Sequence, residues 1–140
     1  MVGSLVGLLV AVAVVLALQP PPVFDASTPE GAAQGYYQAL LDGDEELAAT
    51  YMTDELQQAC DGAFWYYDRH KDARIVIVRS VVDGDSAELD VRIEIGYGEG
   101  PFGGGSYDQE ESVELERHGD RWLISQSTWP MDRYACEKDL

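Results

Sequence analysis

Two histidines, two cysteines and a broad set of acids are the side chains of this 140-residue chain whose types suit chemistry. His70 lies in Asp68-Arg69-His70-Lys71-Asp72, a charged stretch suited to solvent, and His118 lies in the turn His118-Gly119-Asp120. A general base needs a sheltered position within hydrogen-bond reach of its substrate, and neither setting supplies one. Cys60 and Cys136 each stand without a neighbouring cysteine, which excludes a CxxC redox pair and a cysteine-rich zinc site. Asp42-Gly43-Asp44-Glu45-Glu46 lacks the spaced ligands and closing glutamate of a calcium loop, and helix capping already accounts for it. The glycine-rich run from Gly96 to Gly105 has no lysine at phosphate-loop spacing and opens no helix. Gln109 and Glu111 share the parity of Val113 and Leu115, so they are either a pocket pair or an exposed strand end. Taken together, these residues predict no enzyme, no metal and no cofactor.

The charge balance narrows the partners. Nine Lys and Arg stand against 26 Asp and Glu, a net charge of −17. Such a surface repels phosphate and offers few cations to displace counterions, so nucleic acid is not an expected partner. All of this charge lies beyond residue 24. Val2 to Leu18 carries none and is built from Val, Leu, Ala and Gly with a single serine.

That leading segment would span about 26 Å as a helix, near the short end for a bilayer core of about 30 Å. It ends in Leu18-Gln19 and three prolines, a poor processing site, so residues 1–18 read as an uncleaved transmembrane signal anchor rather than a cleaved leader. Residues 19–27 read as a Pro-rich linker, stiffened by Pro20-Pro21-Pro22. Residues 28–140 read as an extracytoplasmic α+β domain, so the expected location is the cell membrane, single-pass, with the C-terminal domain outside. The Gly3–Gly7 spacing admits a neighbouring helix, and Phe102 on the glycine-rich loop suits a partner contact. Export to an oxidising compartment favours a Cys60–Cys136 disulfide over two buried thiols. Closing so long a loop would stabilise the fold by about 4 kcal/mol.

The elements that must position these residues are helices first, then strands. Thr28 caps a helix with Pro29 at its first position, and Ala33, Tyr36, Tyr37, Leu40 and Leu41 form one face before Gly43 ends it. Asp44 caps a second helix with Leu47, Ala48 and Tyr51 inward, and Thr53 caps a third through about Cys60. Arg74 to Val82 is a β-branched run of the kind expected in a central strand. Asp83-Gly84 turns it into a second strand, where Ala87, Leu89, Val91, Ile93, Ile95 and Tyr97 alternate with charged residues, one face buried and one wet. A third strand follows over Tyr107 to Arg117 and a fourth over Arg121 to Trp129. The aromatic set Phe64-Trp65-Tyr66-Tyr67, Tyr36, Tyr37, Trp122 and Trp129 is mostly core. Tyr36, Tyr37, Trp65 and Trp122 are the candidates to line any cavity that remains.

Thr28-Pro29-Glu30, the run Tyr36-Tyr37-Gln38-Ala39-Leu40-Leu41-Asp42-Gly43-Asp44, Leu47-Ala48-Ala49 and the closing Gly119-Asp120-Arg121-Trp122-Leu123-Ile124 carry a resemblance. Over about residues 28–130 the chain resembles the nuclear transport factor 2-like superfamily, also called cystatin-like or SnoaL-like. It looks most like its membrane-anchored members on bacterial, particularly actinobacterial, envelopes. The resemblance implies three short helices on a curved four-stranded antiparallel sheet, forming a cone with a pocket. Members range from isomerases and dehydratases to non-catalytic binding and assembly domains, so the fold does not select a function. The enzymatic members use an Asp or a His–Asp pair inside the cone. Here the inward positions Ala87, Leu89, Val91, Ile93 and Ile95 carry no titratable group. The expected role is a non-enzymatic accessory or assembly subunit of an envelope membrane complex; the alternative is a binding domain for a small apolar or lipid ligand between the first helix and the sheet.

Overall fold

A computed structural model describes residues 22–60, 73–97, 105–126, 128–131 and 136. Three helices come first: α1 (Pro29–Leu41), α2 (Glu45–Ala49) and α3 (Asp54–Ala59). Each begins where a side-chain oxygen accepts from an orphan amide. Gly31 N donates to Thr28 Oγ1 at 3.1 Å, Leu47 N to Asp44 Oδ1 at 2.9 Å and Leu56 N to Thr53 Oγ1 at 3.3 Å. Gly43, at φ 77°, ends α1 in the left-handed region that a side chain would resist. Because α2 has barely one turn, it buries Ala48 but leaves Leu47 45% exposed, contrary to the inward place its spacing suggested.

Four strands follow: β1 (Ala73–Asp83), β2 (Ser86–Tyr97), β3 (Gly105–His118) and β4 (Arg121–Ile124). They form one antiparallel sheet in chain order, β1-β2-β3-β4. Leu89, Val91, Ile93 and Ile95 of β2 and Val113 and Leu115 of β3 are buried, as their alternation requires. The inner face of α1 packs on this surface through Ala32, Ala33, Tyr36, Tyr37 and Leu40. Cys60 and Cys136 are joined in a buried disulfide that ties the end of α3 to the C-terminal tail.

Two strand expectations are corrected. The β-branched run is an edge strand, not a central one, since among the described residues β1 pairs with β2 alone. Val and Ile content reports a pleated, partly buried surface, and that is compatible with one neighbour as well as two. A register shift between Ile77 and Arg79 bulges the strand at Val78, a feature common at sheet edges. The fourth strand stops at Ile124, where the expectation ran to Trp129. Beyond it Ser125 N still reaches Glu114 O, but the chain then turns inward and buries Thr128. Among the described residues no helix is long and apolar enough to cross a membrane; residues 1–21 lie outside them.

Candidate functional site

Alpha-helical spacing places Gln34, Tyr37, Gln38 and Leu41 of α1 on one face, and that face looks along the outer edge of β1. Between them runs a cleft of about 250 Å³. Five successive strand residues, Ala73 to Ile77, line it. Neighbouring residues point to opposite faces of a sheet, so a cleft touching all five follows the strand's edge rather than either face.

The third wall is the segment that leads into α1. Pro22 and Phe24 line the cleft, and the Gln34 side chain holds them from both ends of its amide. Phe24 N donates to Gln34 Oε1 at 3.0 Å, while Gln34 Nε2 donates to Pro22 O at 2.9 Å. Further along, Ser27 donates through its hydroxyl and its amide to Asp25, which holds that carboxyl below its ordinary range. Gly31 makes this close seat possible, because a Cβ there would collide with the Asp25 carbonyl oxygen.

Deeper in the molecule lies a buried polar group. Tyr37 and Thr128 share a hydrogen bond at 3.1 Å, and Tyr36 meets Tyr37 edge-on with ring centres 4.9 Å apart. The Tyr36 hydroxyl is buried and has no hydrogen-bond partner among the described residues. Burial holds both phenols well above their ordinary range. For Tyr36 the neighbouring Tyr37 and the charge of Glu111 add to this; for Tyr37 the Thr128 bond opposes it and Glu111 reinforces it. Both are therefore neutral donors near pH 7 rather than bases. Glu111 is half-buried and accepts a 2.6 Å hydrogen bond from Gln109 Nε2; the pair lies opposite Val91 and Ile93, on the inner side, where the sequence leaves a pocket pair and an exposed strand end both open.

Of the residues singled out as possible cavity lining, Tyr37 lies on the cleft wall. Tyr36 sits in the core behind it. Trp122 is also in the core, with the Arg117 guanidinium 5.9 Å from its ring centre. Trp65 lies outside the described residues, as do Gly3, Gly7, Phe102 and His70. His118 is exposed in the last hairpin beside Glu116, at 3.3 Å. Among the described residues no group of three or more His, Cys, Asp and Glu could hold a metal ion. Sequence reasoning missed the part played by Gln34 and Phe24, since a linker and one amide on a helix carry no periodic signal.

No family model and no curated protein matches this sequence. Solved structures do match in fold. A SEC-C motif containing protein of Rhodopseudomonas palustris superposes with a TM-score of 0.61 at 17% identity, covering 74% of this chain and 79% of that one. A candidate ketosteroid isomerase of Shewanella frigidimarina gives 0.54 at 16%, covering 74% and 95%. A candidate nuclear transport factor 2-like transpeptidase of Campylobacter jejuni gives 0.50 at 20%, covering 71% and 99%. At such identities the likeness establishes the nuclear transport factor 2-like fold and nothing about activity.

Proposed function

We propose that this chain is a non-enzymatic binding domain, tethered to the outer face of a cell membrane by residues 2–18, that takes a small apolar ligand between α1 and β1. The observation that carries the reading is the 250 Å³ cleft, walled by Phe24, Tyr37, Leu41, Ile75 and Ile77 with two amides and one guanidinium among them. A concave, largely apolar lining with a few polar groups is the usual build of a small-molecule site, and this one is at the small end. Among the described residues its walls offer no carboxylate, imidazole or thiol, and the Tyr37 hydroxyl is turned to Thr128. Such walls hold a ligand rather than transform it. The actinobacterial-type envelope setting belongs to this proposal and draws on the apolar leader and the acidic domain behind it.

Calorimetric titration of the full chain in lipid nanodiscs with 1-decanol tests the cleft. Leu41→Trp, which fills it from the α1 side, provides the comparison for partition into lipid. Saturable heat in the parent chain that disappears in the variant is expected; identical titrations would remove the cleft as a binding site.

A second reading, an accessory subunit of an envelope complex, draws on one specific feature. Val78, Val81 and Val82 on the edge strand are 52%, 47% and 52% exposed, and an open edge with apolar side chains suits a protein partner. A photo-crosslinker at position 81, used in cells, should then capture a membrane protein, and Val78→Lys should abolish the capture. A chain that stays uncrosslinked would argue for the cleft alone.

A further inference from the structure

We infer that the ligand of this cleft is an amphiphile, an apolar chain ending in one carboxylate, and that Arg74 reads the carboxylate at the cleft mouth. This inference rests on the proposed binding function and gives it a ligand class.

Gln34 spends both ends of its amide on Pro22 and Phe24. Gln38 Nε2 donates to Asp42 Oδ1 at 3.0 Å. Among the described lining residues, the other strong side-chain donor belongs to Arg74, which is exposed and sits opposite Glu94 in the register, close enough to the strand edge for its long side chain to reach round to the cleft. Other arginines of the described residues are engaged. Arg79 reaches Asp90 at 3.1 Å, Arg92 reaches Glu110 at 3.9 Å, Arg117 reaches Asp85 at 2.8 Å and Arg121 donates to the Thr50 carbonyl at 3.0 Å. Arg74 makes no such bond among the described residues, although Glu94 is its cross-strand neighbour. In a chain of net charge −17, an arginine that lines an apolar cleft and has no ion pair among the described residues is the feature that needs explaining.

Its geometry fits a planar anion. A guanidinium presents parallel N–H groups that match a carboxylate's two oxygens, and it is weakly hydrated enough to work beside apolar walls. Among the described residues no acid lines the cleft, and Glu94, the cross-strand neighbour, makes no ion pair with Arg74. The field of the whole surface opposes anions, but at physiological ionic strength it is screened within about 8 Å. Arg74 is thus the local exception to a repulsive surface, and that repulsion would turn away anions lacking an apolar chain.

The test compares decanoate with 1-decanol on the full chain in nanodiscs, each for the parent, Arg74→Gln and Leu41→Trp. Arg74 is exposed and makes no side-chain bond among the described residues, so Arg74→Gln should keep the fold, which the far-UV spectrum checks. We expect decanoate to bind the parent more tightly than decanol. Arg74→Gln should weaken decanoate roughly tenfold, the ordinary size of a hydrogen bond to a charged group, and leave decanol within about twofold. Decanoate and decanol binding alike, with Arg74→Gln without effect, overturns the carboxylate inference and leaves an apolar cleft standing. Neither ligand separating the parent from Leu41→Trp overturns the binding function itself, and this inference with it.

Discussion

The two edges of the sheet are finished in opposite ways. At β4 the chain between α2 and α3 lies alongside the strand. Ile124 N donates to Tyr51 O at 2.8 Å and Thr53 N donates to Ile124 O at 2.9 Å, with Met52 forming a parallel bridge to Ile124. There the Ile124 amide and carbonyl are both matched, and Trp122 and Ile124 are buried. At β1 the described residues provide no such cover: a bulge, three exposed valines and a cleft stand in its place. Unpaired edges invite association, and proteins usually blunt them. An edge that is closed on one side of the sheet and open on the other places stability at β4 and the helices, and recognition at β1.

The largest break in that division comes from the disulfide on the closed side. Cys60 and Cys136 are 76 residues apart and both buried. A loop of that length gives a loop-closure contribution of about 4 kcal/mol. Replacing both with serine should lower the unfolding free energy by that order, read from the urea midpoint. A loss below about 1 kcal/mol would mean that the helices stay docked without the link.

A second test uses the tyrosines behind α1. Burial keeps Tyr36 and Tyr37 protonated in the folded state at pH values where the unfolded chain releases them. Above about pH 10 the unfolded state therefore binds fewer protons, and stability falls as pH rises, by up to about 1.4 kcal/mol per unit for each phenol. Below pH 10 both states hold the proton and these groups contribute no slope. Tyr37→Phe should remove about half of the alkaline slope. Equal slopes in parent and variant would show that Tyr37 is not sealed from water.

Much of the closed side was legible in the sequence. Thr28, Asp44 and Thr53 each announced a cap, and each accepts the predicted amide. The alternation in β2 named its buried residues because a period of two fixes the face. The cysteine pairing followed from compartment rather than geometry, and the bond is present. The open side was harder to read. A β-branched run describes a strand's surface but not how many strands flank it, so the pattern that suggests a central strand fits the edge strand β1 as well. The cleft depends on where the residue 22–24 segment lands, which is decided by one glutamine amide and one glycine contact, with no pattern along the chain. Arg74 is one arginine among several in the sequence; only the pairings across the sheet show that, among the described residues, it is the one without an acid or carbonyl partner.

The smallest expected effect is the sharpest test of the contrast between the edges. Val81 is exposed on the edge strand, whereas Leu89, in the neighbouring strand, is fully buried against α1 and the sheet. Leu89→Ala should cost about 3 kcal/mol through lost burial and the cavity left behind. Val81→Thr keeps the β-branched shape and exchanges an exposed methyl for a hydroxyl, so its cost should stay within about 0.5 kcal/mol. Urea denaturation of the two variants beside the parent gives both values. If Val81→Thr costs more than about 1 kcal/mol, the valine is covered in solution. The open edge would then be an interface already occupied, and ligand entry along β1 would have to wait for that cover to leave.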